Sequence, residues 1–274
     1  MQKTLFDDPF KRINASIIQG SGLGPANFLT TISALKLLHP GNRIFKYADD
    51  CYLMIPASNI ATTDSELDHI AQWARNCNLR LNSSKSCEII IRRPRTKINE
   101  TIPTIVGIER VNEIKILGVT LSERIGFSSH INKICIKAKQ SFFALRVLVA
   151  HGLTGNRLHD VVRSTTLAQL LYSSPSWWGF TTVGERERMT ALLNKLIRQG
   201  YLPTSTPTIE ELCAKADEVL FSAVLSDPGH VLHRLLPPIR ETGYSLRPRS
   251  HNRTIPQADP LTRKGFIIRM LYNY

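Results

Sequence analysis

The chain has 274 residues, 42% of them hydrophobic, which is enough for one large or two smaller cored domains and excludes a disordered polymer. Its 35 Lys+Arg against 22 Asp+Glu give a formal charge of +13. No apolar run approaches bilayer length, so the charge favours a polyanionic partner, nucleic acid ahead of an anionic membrane surface. The charge is uneven: residues 1–122 hold 15 Lys+Arg and 11 Asp+Glu (+4), and residues 123–274 hold 20 and 11 (+9). Phosphate contacts are therefore expected mainly from the C-terminal half, weakening as salt rises.

Residues 13–17 alternate apolar and polar and predict a short strand. Gln19-Gly20-Ser21-Gly22-Leu23-Gly24-Pro25 follows, a glycine-rich turn, and Pro25 suits the first turn of a helix over 26–39 that Pro40-Gly41-Asn42 ends. The run from Ile44 to Ile55 is β-prone on both sides of Asp49-Asp50, so it predicts a tight hairpin with two acids at its tip. Leu67, Ile70, Ala71 and Ala74 give a helical stripe over 59–78, and Thr63 with Glu66 offers a capping box from which that helix could start. Residues 87–91 and 114–121 read as strands, separated from one another by the basic loop 92–97.

From Ser128 the period becomes helical. Ile131, Ile134, Cys135, Ala138, Phe142 and Leu145 form one stripe, with Gly152 just past its end. Further helices are expected near 157–171, 185–198 and 209–225, with a short closing helix at 261–271. Cys51, Cys77, Cys87, Cys135 and Cys213 are odd in number and form no CxxC pair, which predicts free, mostly buried thiols in a reducing compartment. Residues 1–10 contain Asp7, Asp8 and Pro9 and no apolar core, unlike a signal peptide. An intracellular location, nuclear or cytoplasmic, is the expectation.

Adjacent carboxylates repel unless a cation holds them, and Mg²⁺ takes oxygen ligands. An Asp-Asp pair is also an ordinary polar turn. The order of the motifs carries more than the pair alone. Gln19 to Pro25, then Tyr47-Ala48-Asp49-Asp50, then Leu81-Asn82-Ser83-Ser84-Lys85-Ser86, then Leu117-Gly118-Val119 closely resembles the later palm motifs of reverse transcriptases from non-LTR (LINE-type, Jockey/CR1-like) retrotransposons. The resemblance continues through Ser174-Pro175-Ser176-Trp177-Trp178-Gly179, Tyr201-Leu202-Pro203, Tyr244-Ser245-Leu246-Arg247 and the run from Phe266 to Tyr272.

That resemblance implies an α+β protein: a partial polymerase palm (antiparallel sheet with packed helices) over 1–122, an α-helical thumb-like region over 123–200, and a basic C-terminal region over 201–274. It implies RNA-directed DNA polymerisation with Mg²⁺, an RNA template, a DNA primer and deoxynucleoside triphosphates. Asp49 and Asp50 would be metal-binding catalytic acids, with Asp49 the principal ligand. Lys85 would protonate the leaving pyrophosphate, and Gln19, Gly20, Tyr47 and Ala48 would contact nucleotide and template. Leu117 and Gly118 would form the primer-grip hairpin.

Lys133 and Lys137 on the thumb-like helix, and Arg92, Arg93 and Arg95 in the basic loop, are weaker candidates for phosphate contact; each set reads equally well as solvated surface. Trp177-Trp178 stacks bases or, in the preferred reading, packs in a core. His230 and His233 are expected at caps or surface rather than in a zinc site. Arg247, Arg249, His251 and Arg253 form a basic tail. The pattern departs from the family in two places: Gly24 replaces the usual Ser, and the upstream palm aspartate has no counterpart beyond Asp7 or Asp8. A C-terminal fragment inactive on its own is therefore expected. The alternatives are a non-catalytic basic remnant that binds RNA or DNA, and a globular relic.

Overall fold

The computed structural model describes residues 22–94, 102–240 and 251–273. It is a mixed α+β protein that divides into two compact units, one of residues Met1–Glu88 and Glu100–Arg110, the other of Ile89–Asn99 and Val111–Tyr274. The predicted strand at 13–17 and the Gln19-Gly20 turn lie outside the described residues.

In the first unit, helix α1 (Gly24–Ser33) starts with proline in its first turn, as expected, but ends well before Pro40. The reason is tertiary. Lys46 Nζ, from strand β1 (Arg43–Tyr47), donates to the carbonyls of Ile32 and Leu35, both at 2.7 Å, and caps the helix. Burial, with Lys36 nearby, pushes this ammonium below the usual lysine range. The backbone N–H groups of Leu38 and His39 turn to Glu66 instead of continuing the helix. Strand β1 pairs antiparallel with β2 (Asp50–Met54).

Helix α2 (Thr63–Asn76) starts at Thr63 after a short 3₁₀ segment, and Ala74 is buried as its stripe requires. The predicted capping box does not form. Glu66 is fully buried and accepts from Leu38 N–H (3.2 Å), His39 N–H (2.7 Å), His39 Nδ1 (3.1 Å) and Asn42 Nδ2 (3.1 Å). Four donors outbid one cap. The strand expected over 87–91 shortens to β3 (Cys87–Glu88), parallel to β4 (Glu109–Arg110). Arg110 Nε holds Glu88 at 2.7 Å.

In the second unit, residues 114–121, a single strand by β propensity, instead form the hairpin that the resemblance implies at Leu117–Gly118, β5 (Glu113–Ile116) and β6 (Val119–Ser122). Helix α3 (Ser128–Ala150) buries all six residues of its predicted stripe, and Gly152 follows at φ +88°. Helix α4 (Gly155–Val162) runs through a π-helical turn at Arg163–Leu167 into α5 (Ala168–Leu171). Helix α6 (Ser174–Trp177) precedes α7 (Val183–Arg198) and α8 (Ile209–Ser226), each of which opens with a capping box, Thr182/Glu185 and Thr208/Glu211.

Trp177 and Trp178 lie in the core with Ile131, Phe142, Leu170, Met189 and Leu193. Helix α9 (Phe266–Asn273) docks on α8 through Phe221, Met270 and Leu271. Arg269 on α9 also holds Asp217 at 2.8 Å. His251, expected in a basic tail, is buried and bonds the Leu271 carbonyl at 3.0 Å. Arg253 donates to the Pro237 carbonyl, whereas Arg247 and Arg249 lie outside the described residues. His230 Nδ1 accepts from Leu232 N–H, and His233 Nδ1 bonds the Val224 carbonyl at 2.7 Å. All five cysteines are free; Cys135 and Cys213 are buried, but Cys51 and Cys87 are exposed, a correction to the expected burial. They stand on short exposed strands that bury little. No helix of the described residues is long and apolar enough to cross a membrane.

Burial pushes the Glu66 carboxyl up, but its hydrogen bonds to His39, Leu38 and Asn42 more than offset this and leave it below its ordinary value of 4.5. The folded-state value is depressed, so the stabilisation is fully present above about pH 4.5 and is lost as pH falls through the folded value. Glu66→Ala should destabilise the first unit by about 3 kcal/mol, because it strands buried donors. Glu66→Gln should flatten the acid limb of stability. Urea unfolding from pH 3 to 7, followed by probes in the first unit, checks both.

Candidate functional site

The acids sit where the sequence places them. Tyr47 pairs with Asp50 at the end of the hairpin, leaving Ala48 and Asp49 as a two-residue turn. Ala48 takes φ +49°, a left-handed backbone that a side chain disfavours. Strand periodicity puts Phe45, Tyr47, Asp50, Tyr52 and Met54 on one face, where Tyr47 is 64% exposed. Both carboxylates are exposed. Tyr52 Oη donates to Asp50 Oδ2 at 3.4 Å, and among the described residues neither acid is in an ion pair with Lys or Arg. The opposite face carries Lys46, which ties the hairpin to the end of α1.

Lys85 stands on a separate turn of the same unit. The Asn82 side chain accepts from Lys85 N–H at 3.3 Å and from Ser84 Oγ at 2.7 Å, which leaves the lysine side chain exposed. No hydrogen bond or ion pair among the described residues joins Lys85 to Asp49 or Asp50. Two adjacent oxygen donors on an exposed turn fit a hard divalent ion that keeps water in its remaining positions. No cluster of three or more His, Cys, Asp or Glu gathers among the described residues.

Leu117 and Gly118 form the turn of the second hairpin, in the other unit. Both have positive φ, +45° and +91°, the pattern of a type I′ turn that matches the strand twist. Lys133 Nζ reaches Thr120 Oγ1 at 3.3 Å and Glu113 at 3.9 Å, which ties α3 to the hairpin. Lys137 lies one turn along the same exposed face, and Ile136, Phe143 and Val147 form an exposed apolar row on the Lys133 side of it.

The basic loop is partly neutralised. Arg92 Nη2 is 4.0 Å from Glu123, and Arg93 pairs with Asp259 at 3.1 Å. Gln19, Gly20 and Arg95 lie outside the described residues. Two residues with clear roles went unread in the sequence. Lys46 carried a signal: period two puts it on the same face as Ile44, and an inward lysine needs acceptors. Tyr172 carried none, because its hydrogen-bond partner is Leu117, 55 residues away.

The chain is 28% identical over 145 residues to the RNA-directed DNA polymerase from mobile element jockey of Drosophila melanogaster, a match covering 47% of this chain and 15% of that protein. It is 27% identical over 205 residues to the probable RNA-directed DNA polymerase from transposon X-element of the same fly, 68% of this chain and 22% of that protein. The chain resembles the reverse transcriptases of non-LTR retrotransposons. A further match, 26% identical over 193 residues, is to the retrovirus-related Pol polyprotein from type-1 retrotransposable element R1 of Nasonia vitripennis, covering 64% of this chain and 56% of that protein. The chain thus spans under a quarter of the length of the first two relatives. No protein-family model matches it, and no solved structure does.

The two turns make opposite demands. Ala48→Gly should stabilise the first hairpin by about 1 kcal/mol, since glycine accepts a left-handed backbone without penalty. Gly118→Val should cost about 2 kcal/mol or more, because it adds a side chain at a positive φ where a Cβ already meets Tyr172 Cε1 at 3.0 Å. Denaturant titration of each variant reads the two signs.

Proposed function

We propose that this chain carries part of the catalytic apparatus of a template-directed DNA polymerase that copies RNA. The observation that carries the reading is the acid pair: Asp49 and Asp50 stand exposed at a hairpin tip, with no cationic side chain of the described residues paired to them, in a chain similar to RNA-directed DNA polymerases. On this reading residues 1–122 are palm, 123–200 thumb and 201–274 a basic C-terminal region.

Asp49 and Asp50 would hold Mg²⁺, with Asp49 the principal ligand, and the ion would supply positive charge against the charge that develops on the transferring phosphoryl oxygens. Lys85 offers a cation and a proton to the departing pyrophosphate. Tyr47 and Ala48, with Gln19 and Gly20, contact nucleotide and template, and the Leu117–Gly118 turn grips the DNA primer. Two-metal catalysis needs a further bridging carboxylate, which on this reading comes from outside the described residues.

Primer extension on an RNA template tests this, in the chain or in any longer protein that contains it. Asp49→Asn should lower Mg²⁺- or Mn²⁺-dependent incorporation by at least about 100-fold, since a displaced metal misaligns the reaction. Incorporation that survives the substitution would remove the acid pair from the mechanism.

A second reading, nucleic-acid binding without catalysis, is favoured by the exposed face of α3, where Lys133 and Lys137 stand one turn apart with Ile136 beside Lys133. Binding to an RNA–DNA hybrid should weaken linearly in log Kd against log salt. Replacing both lysines by alanine should reduce that slope by about two phosphate contacts. An unchanged slope places the contacts elsewhere.

A further inference from the structure

The Leu117–Gly118 turn is exposed, yet it is held from behind at both the tip and the strand. Tyr172 Oη donates to the Leu117 carbonyl at 3.0 Å, and the tyrosine ring lies against Gly118 so closely that a Cβ there would meet Cε1 at 3.0 Å. Tyr172 is itself anchored. It leaves α5 through a tight turn, with ψ 121° at Tyr172 and a left-handed Ser173 at φ +54°. Trp177 Nε1 donates to the Tyr172 carbonyl at 2.9 Å.

Trp177 is fully buried and packs on the His130 ring at a centroid distance of 5.6 Å. His130, 3% exposed, accepts the Thr120 N–H through Nδ1 at 3.4 Å. Thr120 is in β6 of the same hairpin. The contacts therefore close a ring: turn, Tyr172, Trp177, His130, strand, turn.

A hairpin this short is marginal on its ladder alone. This one also keeps a leucine at φ +45°, which its type I′ turn demands and a side chain disfavours, so contacts behind the turn help to hold it. Tyr172 supplies two of those contacts while remaining half-exposed itself, so it adds little to the core.

We infer that Tyr172 is a positioning residue: it sets where the Leu117–Gly118 backbone meets the terminal nucleotide of a primer. This rests on the polymerase reading above. Its ligand is the recessed 3′ end of a DNA strand on an RNA template, and it acts through the turn, not by touching the reacting atoms.

The test compares two fluorescent RNA–DNA hybrids, one blunt and one with a recessed DNA 3′ end, titrated against the full chain by anisotropy. The unmodified chain should prefer the recessed end. Tyr172→Phe keeps the ring and loses the hydrogen bond. It should leave blunt-hybrid affinity unchanged and reduce the preference by about fivefold, the worth of one hydrogen bond. Tyr172→Leu, which removes the ring from Gly118 as well as the hydrogen bond, should reduce the preference at least as far, and hydrogen exchange at Val119 should quicken in both variants. A preference retained in both variants overturns the positioning role and leaves the polymerase reading intact. An unmodified chain that binds neither hybrid overturns that reading and the inference together.

Discussion

The first unit depends on a buried carboxylate. Glu66 is fully buried in a unit whose buried apolar side chains, among the described residues, are Ile32, Leu35 and Ala74, and it gathers four donors from the segment between α1 and β1. An ionised acid in such a place is tolerable only when its oxygens are saturated. Satisfying it dictates where α1 stops, how the chain turns through Leu38 to Asn42, and from which point β1 sets out toward the acids. Lys46 completes the arrangement from the other side by taking the carbonyls α1 leaves open. Among the described residues, this unit is thus specified by charge-assisted hydrogen bonds more than by buried apolar side chains.

The second unit is built the other way. Its helices meet in a continuous apolar core running from Val119 to Cys213, and the polar contacts are outposts on that core. Its hairpin is short and would be marginal alone. It acquires a defined position because α3 and the Tyr172–Trp177 segment bond to its strand and its turn. Both hairpins place a non-glycine residue in left-handed backbone at the tip, Ala48 in one and Leu117 in the other. Strain of that kind gathers where a backbone is held for use.

How much was legible in the sequence follows from the range of each interaction. The α3 stripe was read residue for residue, because spacing of 3 and 4 in the chain becomes one face of a helix without help from elsewhere. The acid hairpin was legible for the same reason, its apolar runs and turn residues being contiguous. The capping box at Glu66 failed because a local cap competes with any distant donor set, and here the distant set was larger. The strand over 114–121 broke in two because glycine and leucine at its centre adopt positive φ, which β propensity alone does not reveal.

The sequence by itself determined the helical and β periods, the basic balance, the paired acids at Asp49 and Asp50, and the ordered motifs that resemble reverse transcriptases. Tertiary structure alone decided the early end of α1, the burial of Glu66, and the seating of the second hairpin under Tyr172. The division is physical: periodicity and turn chemistry act over a few residues, whereas a buried carboxylate such as Glu66 must find its donors wherever the fold brings them, 27 positions along the chain for His39, and even the exposed Tyr172 reaches a carbonyl 55 positions away.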